Sequence, residues 1–476
     1  PQKNCLIYQF NYYKMSLIIY FFLFKLKIII SSYISIPFKV LKFNYEKEKS
    51  IMKKYMYKNI QTTFLVGTPE QEIQLSACLG EYTTFIIQKN SKGYNETKFN
   101  KSISNSFSSF TEKPEQYLFQ IFNKGIHSKD NFNIEKRTII NNLEFILATE
   151  VGVNQCHTIY CEVLTEPGIL GFLNKEKYNE INVTKLNFIN QLKKFQLISG
   201  YYFNFHFVSE NSGNIIIGEK PHEYDNIHYK EENYLRIGTT IFGSDIDWWI
   251  LFDKVYYGDE KTNSEKPILL RIEFGLIIGD FPWQKELENN FFNKFIEENK
   301  CFKEKTDEET TTDRKNVLTY YYCNKNIDLS EFKPFTFVLN DPNYNFTLTK
   351  DDLFIEEDDK YIFLMVFGKY ELIFGFPFLK KYQMIFNQDS KTIEFYSYIS
   401  NSTSNSTPFS SSSTIYYYIV IVILIILFLG LLAFIIIDYF KRMKKKKKNA
   451  KELSNEENEN SDDKNKILVN DENEIN

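Results

Sequence analysis

Residues 60–400 alternate short apolar and aromatic runs with turns of Asn, Gly, Ser and Asp. Runs this short leave little room for long helices, and turn residues at such close spacing delimit many short strands. The pattern predicts an all-β region with minor helix. Two stretches carry apolar residues at helical spacing instead, 181–198 and 285–300. With 476 residues the chain is long enough for two or three domains, and its apolar share of 43% can fill large cores. A net charge of -4 gives no argument for a nucleic-acid partner. None of the five His residues is paired with another at metal-ligand spacing, so neither a metal nor a cofactor is expected.

The two ends point to a membrane. From Met15, a plausible start, runs MSLIIYFFLFKLKIIISSYIS, an apolar stretch ending in small residues. It reads as a secretory signal, interrupted by Lys25 and Lys27, and the leader is placed over residues 1–36. Residues 415–437 contain no charged side chain. At about 1.5 Å per residue, such a helix crosses a bilayer. Lys441–Lys448 follows as KRMKKKKK, which holds that flank on the cytoplasmic side. Residues 401–414 form a Ser/Thr/Asn stalk, and residues 438–476 a basic and then polar tail that reads as disordered. The expected product is a single-pass protein of the secretory pathway, the endolysosomal system or the cell surface.

Six glycosylation sequons precede the predicted span, at Asn95, Asn100, Asn182, Asn345, Asn401 and Asn405. Cys156 and Cys161 lie five residues apart, and Cys301 and Cys323 bracket a polar excursion. Both spacings suit disulfides in an oxidising compartment. Cys5 precedes the plausible start, which leaves Cys78 as a free thiol.

Several segments, in order, resemble the pepsin-like aspartic peptidases. FLVGTPEQEIQLSACLGEYTTFI (64–86) and ILLRIEFGLIIGDFPW (268–283) are similar to the family's two active-site signatures. GIHSKDNFNI (125–134) resembles the strand after the flap, and GILGF (168–172) the strand that threads beside the first catalytic loop. SGNIIIG (212–218), DWWILFDKVYYG (247–258) and IFGFPFLKKYQMIFNQDSKTIEFY (373–396) look like further strands and the C-terminal signature. The resemblance covers about residues 55–397. It implies a bilobal double β-barrel with an interlobe cleft, the lobes spanning 55–230 and 231–400.

The resemblance also locates a chemical change. The family's first aspartate falls seven residues after a glutamine matching Gln71, which is Cys78 here. Its second falls nine residues before a proline matching Pro282, which is Glu273. Gly80 and Gly275 keep the loop glycines, and Gly171 and Gly375 keep their crossing partners. Leu79 and Phe274 replace the threonines that brace the loops, and Glu81 and Leu276 replace the polar residues beyond. Phe122 stands nearest the flap tyrosine.

The family's reaction needs two carboxyls about 3 Å apart sharing one proton. One takes a proton from water while the other polarises the peptide carbonyl. A Cys78 thiol supplies no carboxyl and is expected to be a small buried apolar group. Glu273 adds a methylene that displaces its carboxyl by about 1.5 Å. The reading is therefore a membrane-anchored family member without hydrolytic activity, acting as a polypeptide-binding or structural module. The alternative is an active, atypical aspartic endopeptidase.

Overall fold

The computed structural model describes residues 33–41, 55–56, 58–92, 99–111, 113–116, 122–134, 138–151, 168–173, 186–238, 247–262, 267–308, 316–369, 371–397, 435 and 437–445. They belong to two units, Pro1–Asn401 and Ser402–Asn476. The first is mostly β with few short helices, arranged as sheets of fourteen, nine and four strands among the described residues.

The N-terminal strand Ile34–Leu41 shows why the largest sheet forms. Ile34, Ile36, Phe38 and Val40 are buried, while Ser35 and Lys39 face solvent. Period-two alternation of this kind gives one face to the core. The strand pairs on one side with Ser212–Ile217, Ile34 opposite Ile217, and on the other with Asn59–Val66, Phe38 opposite Thr62. The leader placed over 1–36 thus overlaps three paired residues, Ile34, Ser35 and Ile36.

Each half of the first unit contains the same crossing. In the first, Gln71–Cys78 runs parallel to Gly168–Gly171, Cys78 opposite Gly171. Gly168–Gly171 also pairs antiparallel with Phe85–Lys92, which runs parallel to Thr138–Val151. In the second, Pro267–Leu270 runs parallel to Leu372–Phe374, Leu270 opposite Phe374. Leu372–Phe374 pairs antiparallel with Ile277–Gly279, which runs parallel to Met365–Phe367. The chain then returns to the first sheet. Ile385–Asn387 pairs with Tyr202–Phe207, and Phe386 stacks on Phe203 at 5.0 Å.

Two helical expectations shift. The second expected helix starts earlier than residue 285: helical structure runs from Phe281 to Glu297, with a π-turn at Glu288–Phe292. Asp280 caps it by accepting the Trp283 N–H at 3.3 Å, and Pro282 in the first turn needs no N–H partner. It ends where Asn299 takes a positive φ of 55°. Within 181–198, the described helix is Phe188–Lys194, capped by Asn187; residues 181–185 lie outside the described residues.

Cys301 and Cys323 face each other across a hairpin and form a disulfide. Cys156 and Cys161 lie outside the described residues, and Cys78 is a free, buried thiol. In the second unit, the described residues 435 and 437–445 are helical, with Arg442 Nη2 2.8 Å from Asp438 Oδ2. Among the described residues no helix is long and apolar enough to cross a membrane. The expected span 415–437 lies outside them except for Ile435 and Ile437.

Candidate functional site

The two crossings place two loops against each other. Cys78 ends its strand beside Gly171, and the Phe172 N–H donates to the Cys78 carbonyl at 3.0 Å. A Cβ on Gly171 would lie 2.7 Å from the carbonyl oxygens of Glu81 and Thr83, so only glycine lets the crossing strand pass. The other loop repeats this. A Cβ on Gly375 would lie 2.2 Å from the Leu276 carbonyl and 2.4 Å from that of Phe274. At Gly275 it would lie 2.0 Å from the Tyr55 carbonyl.

Where the loops meet, the Glu273 carboxylate crosses to the opposite loop. Its Oε1 accepts the Cys78 thiol at 3.4 Å and the Gly80 N–H at 3.2 Å. Its Oε2 accepts the Leu79 N–H, also at 3.2 Å. The side-chain length that spoils an aspartate's geometry thus carries the carboxylate into an amide cradle. Arg271, two residues back at the start of a turn, lies with its Nε 3.6 Å from Glu273 Oε1. Arg271 also donates to Asp247 Oδ1 at 2.9 Å and to the Leu270 carbonyl at 3.1 Å.

This junction is closed. Glu273 is 1% exposed, Arg271 3% and Cys78 7%. Burial pushes the Glu273 carboxyl above its ordinary range, against the opposing pull of Arg271 and the amide donors. Burial, then the charge of Glu273, pushes the Cys78 thiol well up, so it stays protonated and donates. Cys78 is therefore not the purely apolar filler that its residue type suggests: its S–H is aimed at a carboxylate.

The neighbouring side chains are structural. Leu79 is fully buried in the main core. Phe274 and Leu276 pack in a second cluster with Tyr55, Met56 and Trp249. The segment carrying Tyr55 and Met56 is bound to the Glu273 loop: the Lys58 N–H donates to the Glu273 carbonyl at 2.9 Å, and the Gly275 N–H to the Met56 carbonyl at 2.8 Å. Glu81 is buried too, and its Oε1 accepts the N–H groups of Tyr82 at 2.9 Å and Thr83 at 3.1 Å, and the Thr83 hydroxyl at 3.0 Å. It holds its own loop in shape.

Phe122 begins the strand Phe122–Ile134 and its backbone pairs with Val151; its side chain lies outside the described residues, as do residues 117–121. Among the sequon asparagines, Asn100 and Asn345 are described. No group of three or more His, Cys, Asp or Glu side chains among the described residues could hold a metal ion. The sequence reading missed Arg271 and Asp247. Arg271 carried a signal, since a charged side chain among apolar neighbours demands a partner. Asp247 carried none.

A family model described as eukaryotic aspartyl protease matches residues 60–397. No curated protein matches the chain significantly.

Proposed function

The chain belongs to the eukaryotic aspartyl protease family, and from that premise we propose a membrane-anchored member that does not hydrolyse peptides. Its β region serves as a structural or polypeptide-binding module in the secretory pathway or at the cell surface. One observation carries the reading: the Glu273 carboxylate occupies the amides of Leu79 and Gly80 while a thiol stands where a second carboxyl is needed. A proton-sharing pair is what lets this chemistry activate water and polarise a carbonyl together. A thiol held protonated cannot be the base, and a single carboxyl cannot fill both roles. The same bonds tie one loop to the other, so the junction works as a clasp between the halves. With Glu273 and Cys78 this closed, a polypeptide partner meets other surfaces of the molecule.

The anchoring rests on the uncharged run 415–437 and the basic cluster after it. The Cys301–Cys323 disulfide fits exposure of the β region to an oxidising compartment. A restoration experiment tests whether the loops are set for catalysis. The double variant Cys78→Asp, Glu273→Asp returns both carboxyls but leaves Leu79 and Phe274 filling the core where hydroxyl braces would sit. It is expected to show no cleavage of an unfolded protein at about pH 3 to 6, because an error near 1 Å in positioning abolishes most of the rate. Cleavage by the double variant would show that Leu79 and Phe274 leave the loops in working geometry and would overturn that part of the reading.

A further inference from the structure

We propose that Asn345 carries an N-linked oligosaccharide that guards the open edge of the four-stranded sheet. This rests on the reading above that the β region lies on the lumenal side. Asn345, Phe346 and Thr347 form a sequon on the strand Tyr344–Leu348, which is the last strand of its sheet. Phe346 points into the core, and Asn345 is exposed on the opposite face. The amide of Asn345 has no hydrogen bond to any described residue. Asn100, the other described sequon asparagine, uses its side-chain oxygen to accept the Ser102 N–H at 3.1 Å.

The backbone at Asn345 is open as well. On the neighbouring strand Phe335–Leu339, the Val338 carbonyl accepts the Asp253 N–H at 2.9 Å, so Val338 is turned away from Asn345, its register partner. In an antiparallel ladder, alternate residues direct both backbone groups to the same side. Asn345 and Thr347 therefore both present N–H and C=O to the free edge. At Thr347 that edge is capped from the helix Phe376–Tyr382. The Tyr382 hydroxyl donates to the Thr347 carbonyl at 2.8 Å, and so does Lys381 Nζ at 2.7 Å. At Asn345 no such cap stands among the described residues. The strand reads YNFTL, without the charge or proline that usually blunts an exposed edge. A bulky, hydrated glycan on the Asn345 side chain would prevent a second strand from docking there.

The transfer is the ordinary one for a sequon. Asn345 Nδ2 forms a bond to the anomeric carbon of a lipid-pyrophosphate-linked oligosaccharide. The carbon–oxygen bond to the pyrophosphate breaks, the lipid pyrophosphate leaves, and Nδ2 loses one proton.

The full chain, expressed in a eukaryotic secretory host, is digested and its glycopeptides are mapped by mass spectrometry. The result expected is an occupied Asn345, lost in Asn345→Gln and Thr347→Ala and kept in Thr347→Ser. Sedimentation of the Asn345→Gln protein is expected to show increased self-association. An unoccupied Asn345 beside an occupied Asn401 or Asn405 overturns the site and leaves the topology standing. No occupied sequon, together with reduced Cys301 and Cys323, overturns the site and the lumenal reading with it. Full occupancy with no change in self-association on Asn345→Gln overturns the guarding role.

Discussion

Glu273 reaches Leu79 and Gly80 because it is one methylene, about 1.5 Å, longer than aspartate. Without the Glu273 carboxylate those two amides, both on the Cys78 loop, would lose the partner they have here, and a buried unpaired donor costs about 1–3 kcal/mol. The thiol and the longer acid therefore act together, Cys78 donating to the same carboxylate. Burial raises the Glu273 carboxyl from its ordinary value of 4.5. The sign of the consequence follows from proton counts. Between 4.5 and the raised folded value the native state keeps a proton that the unfolded chain has released, so stability falls as pH rises through that window. The slope is at most about 1.4 kcal/mol per pH unit for one proton. Denaturant titrations at a series of pH values should show this fall in the parent and its absence in Glu273→Gln. Identical pH profiles for the two proteins would remove Glu273 as a buried titrating group.

The crossing strands are the elements that hold the junction in place. Gly375→Ala would drive a Cβ to 2.2 Å and 2.4 Å from two backbone carbonyls, neither of which can swing aside. It should cost about 3 kcal/mol or more, at the upper end for overpacking. Gly238→Ala, with nothing within 4 Å of the added carbon, is the matched control and should be near neutral. Equal midpoints in urea for both variants would mean that the crossing is looser than described. These elements were legible in the sequence through the family resemblance, which implies the crossing partners Gly171 and Gly375. The helix start at Phe281 was legible in principle through Asp280 and Pro282, but helical spacing alone points to residue 285. The strand Ile34–Leu41 was hidden because its apolar alternation continues directly from the apolar leader.

At the scale of the whole β region, one crossing motif occurs twice, and the chain closes the first sheet after building the second. The repeated signatures made that architecture readable, since each must lie where its own loop meets the other. That Cys78 and Glu273 stand at the two signature positions was an expectation from the family resemblance. Their contact was not readable, because a sequence shows that Cys78 and Glu273 stand at two positions but not that one side chain crosses to the opposite loop. Nor does it show that Arg271 and Asp247 close the cluster from behind. A molecule built this way keeps the family's frame and buries Glu273 and Cys78 where its two loops meet. The purified full chain, incubated with an unfolded protein at about pH 3 to 6 with and without a transition-state peptide inhibitor, tests this most directly. The expected result is no cleavage above background and no effect of the inhibitor. Inhibitor-sensitive cleavage that disappears in Glu273→Gln would contradict it.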